Sequence, residues 1–234
     1  MICPMARIAR VVAVDVAHHV TQRGNARQGI LAEDAERQVY RDLLRRAVAQ
    51  HGLSVLGYCL MSNHVHLVVI PRRAEALAAA LKEVHGRYAA YWNAAHASSG
   101  HVWQGRFYSC PLDPGHLWEA LRYTELHPLR AGMVKAAAAW PWSSAAAHCG
   151  VAAAEECLDT ACWRQHGRER KWRKFLEAGE SEAATLALRR CTHTGRPWGS
   201  AEFTQALERR LQRRLTPGQG GRPRPPLRRA RPKP

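Results

Sequence analysis

Two histidines two residues apart, His64 and His66, stand in the apolar run GYCLMSNHVHLVVI at positions 57 to 70. Residues i and i+2 of a strand point to the same face, so the two imidazoles project side by side with Cα atoms roughly 6.6 Å apart. At that separation two ring nitrogens can converge on one divalent ion. A buried neutral imidazole needs a partner, and an ion is one. A pair of core histidines satisfied by hydrogen bonds is the other reading. A catalytic ion seldom rests on two protein ligands, and the stretch PGHLWEALRYTELH (114 to 127) can offer a third. At about 100° per residue, His116, Ala120, Tyr123 and His127 share one helical stripe with Glu119 at its edge. Leu117, Leu121 and Thr124 form another, expected to pack on a sheet. Tyr123 and His127, four apart, are neighbours on the helix surface. A tyrosine beside a metal site in a very basic chain fits a nucleophile aimed at phosphate. An ordinary half-buried aromatic fits Tyr123 equally.

The flanking pattern supplies elements to carry these groups. Residues 11 to 23, VVAVDVAHHVTQR, are rich in β-branched side chains and read as a strand ending at the turn pair Gly24-Asn25. Val39, Leu43, Leu44 and Val48 recur at helical spacing before a stop at Gly52. The apolar runs 53 to 61 and 64 to 70, broken at Ser62-Asn63, predict a hairpin. A helix of good helix formers spans AEALAAALKEVHGRYAAYWNAAHA, and VWQGRFYSCPL reads as a strand or extended loop. Asp113 is a candidate N-cap with Pro114 at the first helical position, and Pro128 is expected to end that helix at His127. Strand, helix, strand, strand, helix, strand, helix is the order of a ferredoxin-like split βαβ sandwich. The expected class is α+β, an antiparallel sheet with helices on one face. A catalytic domain is expected over 1–148 and a basic helical region over 149–215. The Arg/Pro-rich tail over 216–234, with six basic residues and no acid, is expected to be disordered when free.

Lys and Arg number 35 against 19 Asp and Glu, a formal net charge of +16 in 234 residues. Such a field favours a polyanion as partner, nucleic acid above all. No run of about twenty apolar residues is present to span a membrane. Asp15 interrupts the N-terminal apolar stretch, which reads as a first strand and not a signal peptide. Seven scattered cysteines without a CxxC pair fit a reducing cytoplasm. Cys157, Cys162 and His166 are too irregularly spaced for a standard zinc site.

CLMSNHVHLVV resembles the HUH motif (His, hydrophobic residue, His) of single-tyrosine transposases, and RYTELHPLRAGMV is similar to their tyrosine helix. With HHVTQRGNARQGI, WQGRF, WPWSS and TGRPWGSAEF, the motifs in order resemble the REP-associated tyrosine transposases over about residues 10 to 215. The resemblance implies single-stranded DNA cleavage by Tyr123, giving a 5′-phosphotyrosine and a free 3′-OH that can later reseal. It implies a divalent ion, Mg²⁺ or Mn²⁺, on His64, His66 and the residue four after the tyrosine. That residue is usually Asn or Gln in the family and is His127 here. A third imidazole suits Mn²⁺ and turns preference from the oxygen-seeking Mg²⁺. The implied substrate is a palindromic repeat folded as a hairpin, handled by a monomer or homodimer in the cytoplasm, at the nucleoid.

Arg23, Asn25 and Arg27, with Asn63 in the turn before His64, are expected to hold phosphates or read exposed base edges. Arg106, Arg122 and Arg130 flank the tyrosine region and suit phosphate. Trp103 and Phe107 read either as stacking platforms for unpaired bases or as core. Three other functions compete: a catalytically inactive DNA-binding protein of the same fold, a relaxase or replication initiator, and a small-molecule phosphodiesterase. The last has no need of Tyr123.

Overall fold

The computed structural model describes residues 10–161, 163 and 169–216. Strands β1 (His18–Arg23), β2 (Leu53–Leu60), β3 (His64–Pro71) and β4 (Tyr108–Pro111) form one antiparallel sheet in the order β2-β3-β1-β4. Helix α1 (Asp34–His51) joins β1 to β2, and α2 (Ala76–Ala95) joins β3 to β4. This is the expected α+β split βαβ arrangement. The first strand begins later than residue 11, because the chain turns at Asp15, whose φ is 56°, and enters the sheet only at His18. Gly52 ends α1 in the left-handed conformation, φ 67°, as a C-terminal glycine does.

The tyrosine-bearing helix α3 (Pro114–Glu125) opens as its sequence predicts: Asp113 accepts a hydrogen bond from the His116 backbone N–H, and Pro114 is in the first turn. Its end differs. Regular helix stops at Glu125, Leu126 serves as a joint, and a separate turn α4 (His127–Arg130) begins at His127. Pro128 therefore starts a turn instead of stopping one, because a proline in a first helical turn loses no hydrogen bond there. Helices α5 (Ala145–His148), α6 (Glu169–Glu177), α7 (Glu182–Thr194) and α8 (Ala201–Leu211) follow among the described residues.

All eight residues of β3 are buried. Val65, Leu67 and Val69 pack with Tyr40 and Leu44 of α1 and Leu77 and Leu81 of α2. Val68 and Ile70 pack with Leu121 and Tyr123 of α3 and Leu188 of α7. Helices thus cover both faces, correcting the expected single helical layer: a central strand apolar on both sides needs two covers. By the period of two, His64 and His66 share the α3 face with Val68 and Ile70. A glycine in β2 lets α3 approach closely, since a Cβ on Gly57 would stand 2.5 Å from Leu121 Cδ2. Glu125, fully buried, accepts hydrogen bonds from Ser144, His148 and Trp172, fastening the end of α3 to elements that follow it. Trp103 belongs to the core: it packs on Tyr40, Tyr88 and His85 and donates its Nε1–H to the His85 carbonyl. Phe107 is buried as well. Of the irregular zinc trio, Cys157 is buried, and Cys162 and His166 lie outside the described residues.

Candidate active site

His64, His66 and His127 come together, each offering a ring nitrogen within 4.8 Å of the others. Adjacent same-face positions of β3 supply the first two, and the turn after α3 supplies the third. Their outer nitrogens are held by different partners. His64 Nδ1 donates to Asn63 Oδ1 at 2.6 Å, and Asn63 Nδ2 donates to the Arg27 carbonyl at 3.1 Å, which fixes the amide's orientation. His66 Nδ1 lies 3.0 Å from His19 Nε2, and His19 Nδ1 lies 2.8 Å from Thr192 Oγ1. With His19 donating to Thr192 and accepting from His66, the inner nitrogen of His66 keeps a bare lone pair. That atom, His66 Nε2, is buried with no hydrogen-bond partner. A polar atom left so inside a protein is costly unless something meets it, and a metal ion would.

All three rings are neutral. Burial pushes His64 down to about 4, helped by Arg23 and Arg130, and pushes His66 well below the ordinary range. Burial foremost, then His64 and Arg130, carries His127 down to about 2. Neutral imidazole is the form that binds metal. The fit at His127 has a condition. Arg130 Nη2 donates to His127 Nδ1 at 2.6 Å, so the ring's own proton sits on Nε2 and points at His64 Nε2, 3.0 Å away. Ligation through His127 Nε2 requires Arg130 to release Nδ1.

Tyr123 lies against this cluster, its ring edge-on to His66 and His127 at centroid separations of 5.5 and 5.7 Å. Two guanidiniums reach it. Arg130 stands over the ring at 4.3 Å, and Arg189 Nε donates to the phenolic oxygen at 3.2 Å. Tyr123 also lines a small cavity with Glu119, Glu180 and Trp198. Burial raises the Glu180 carboxyl, against the pull of its ion-pair partner Arg130.

The residues expected to touch nucleic acid divide into two groups. Arg23, Asn25, Arg27 and Arg106 are exposed. Arg23 pairs with His64 in the β1–β3 register, and Asn25 and Arg27 form a tight turn beside Asn63, with Ala26 and Arg27 at positive φ. Arg23 and the turn thus sit at the His64 end of β3. Arg122 departs from expectation: it is buried, ion-paired with Glu119, and packed on the Phe175 ring at 4.0 Å. It faces protein, not solvent.

Sequence reasoning missed His19, Thr192 and Arg189 as parts of this site. His19 had a signal, its same-face position on the strand beside β3, but only once the strand order is known. Its neighbour His18 is a satisfied core histidine, bonded to the Val16 carbonyl and the Ala13 amide. Thr192 and Arg189 lie on a distant helix and carry no local signal.

A solved REP-associated tyrosine transposase bound to a REP hairpin aligns at TM-score 0.54 and 16% identity, over 66% of this chain and 91% of that one. At that identity the likeness is one of fold. A Deinococcus radiodurans R1 protein proposed to be a transposase aligns at TM-score 0.36 and 18% identity, covering 47% of this chain and 88% of its own. No curated protein matches the chain. Residues 13–125 match the family model for IS200-like transposases. That span runs from before β1 to the end of α3.

Proposed function

We propose that this protein is an IS200-like transposase that cleaves and rejoins single-stranded DNA at hairpin-forming palindromic repeats, through a covalent link between Tyr123 and the 5′-phosphate. The observation that carries the reading is a tyrosine edge-on to two of three imidazoles whose inner nitrogens share one small space. His64, His66 and His127 would hold a divalent ion, with Mn²⁺ favoured over Mg²⁺ by an all-nitrogen donor set. When bound, the ion supplies Lewis-acid stabilisation of charge on the phosphate oxygens. Asn63 and His19 orient two of the rings from outside. Tyr123 is the nucleophile, and its oxygen joins phosphorus as the 3′ oxygen departs. Arg23, Asn25, Arg27, Asn63 and Arg106 would guide the strand, and Arg130, beside the tyrosine, would meet phosphate once it leaves His127. Arg122 is not among these contacts. Work on chromosomal DNA would place the protein in the cytoplasm, acting as a monomer or homodimer.

A second reading has one observation in its favour. The Arg130 hydrogen bond to His127 opposes ligation through the inner nitrogen, as in a DNA-binding relative that no longer cuts. The test is a denaturing gel of labelled hairpin DNA with Mn²⁺, wild type beside Tyr123→Phe. The expected result is an adduct that survives denaturation in wild type, absent in Y123F and abolished by chelator. Hairpin binding without any adduct would establish the second reading.

A further inference from the structure

Helix α7 lies outside the span that matches the family, yet two of its residues, three positions apart, reach the site. Residues at i and i+3 share a helix face. Thr192 is linked through His19 to His66, and Arg189 Nε donates to the Tyr123 hydroxyl at 3.2 Å. From this juxtaposition we infer that Arg189 is a catalytic residue, the guanidinium that carries negative charge on the Tyr123 oxygen in both cleavage and resealing. The inference rests on the phosphotyrosine reading.

The chemistry follows from what arginine can and cannot do. A guanidinium stays charged and only donates, so it does not take the phenolic proton. In cleavage that proton passes to water, the Tyr123 oxygen–phosphorus bond forms, and the phosphorus–3′ oxygen bond breaks. The departing 3′ oxygen takes a proton from water. Resealing reverses this: a 3′-hydroxyl oxygen attacks phosphorus and yields its proton to water. The bond to Tyr123 then breaks with its electron pair left on the phenolic oxygen. In both directions that oxygen carries charge where Arg189 Nε–H already points, which is how a preorganised donor accelerates a reaction. Arg130 does not duplicate it, because it lies over the ring face and its hydrogen bonds go to Glu180, His127 Nδ1 and the Tyr123 carbonyl.

The test uses the full chain and a labelled hairpin oligonucleotide carrying a palindromic repeat from the flank of its own gene. Single-turnover rates of adduct formation and of resealing are measured with Mn²⁺ at saturating DNA for wild type, Arg189→Ala and Arg189→Lys. In R189A both rates are expected to fall by about 100-fold, the effect of deleting one oxyanion donor. Affinity for the hairpin should hold, without the change of about one in salt slope that marks a lost phosphate contact. R189K should recover part of the rate, and added methylguanidine should rescue R189A. Four results would overturn the inference: R189A cutting at the wild-type rate, a loss appearing wholly in DNA affinity, no rescue by lysine or methylguanidine, or a loss tracking a collapsed melting temperature. Absence of any adduct in wild type that still binds the hairpin removes the phosphotyrosine reading itself, and this inference with it.

Discussion

At the scale of single residues, the histidine cluster is a competition between a proton network and an ion. His127 gives its Nε2 proton to His64 because Arg130 occupies its other nitrogen. Arg130→Ala is therefore expected to strengthen Mn²⁺ binding by about tenfold, the low end of the effect of changing a partner of a ligating histidine. Titration of the metal-free protein, followed by the Mn²⁺ paramagnetic resonance signal, checks this. Weaker binding in R130A would mean that Arg130 orients the ring and does not withhold it. The pair His64 and His66 was legible because a strand's period of two puts them on one face whatever the rest of the fold does. Tyr123 and His127 were legible as neighbours four apart, although a joint at Leu126 intervenes. Arg122 was misjudged because one turn of helix separates a solvent-facing arginine from one sealed against Phe175, and spacing alone does not say which side the next element covers. His19 and Arg189 depend on contacts between positions far apart in the chain, about which local pattern is silent.

At the scale of elements, β3 and α3 must meet at a set distance for the tyrosine to reach what the histidines would hold. Gly57 sets part of that distance from the neighbouring strand β2. A methyl group there would press on Leu121 Cδ2 at 2.5 Å and Ser144 Oγ at 3.0 Å. Gly57→Ala is expected to destabilise the fold by about 1 to 3 kcal/mol through overpacking. On the proposed reading it should also slow adduct formation more than it weakens hairpin binding, because the displaced helix carries Tyr123, whereas the turn at Asn25–Arg27 lies on another element. Urea unfolding beside single-turnover kinetics separates the two effects. The element order was readable from alternation and helical spacing. The second helical layer was not, since α6 to α8 show only amphipathic patterns that do not name the surface they cover.

At the scale of the molecule, buried neutral histidines make stability depend on pH. Burial holds His18 at about 4 and His19 and His85 at about 3, against an ordinary value of 6.5. Between these values the unfolded chain binds more protons than the folded one. Stability is therefore full above about pH 6.5 and is lost as pH falls toward about 4, with His18 alone worth roughly 3 kcal/mol. Thermal melts of the metal-free protein across that window should show a steep, monotonic fall in melting temperature. A flat profile would mean that these rings reach water more readily than their packing indicates.

The position of α7 has one more consequence, in the order of synthesis. The histidines of the cluster, the tyrosine and the turn at Asn25–Arg27 have all been synthesised once residue 127 is made. The groups that reach the tyrosine oxygen and the outer face of His19 arrive more than sixty residues later, at Arg189 and Thr192. A nascent chain or an early-terminated fragment thus carries the groups of the proposed site without the helix that completes their arrangement. On the proposed reading, the site gains its full set of groups only once α7 has been made.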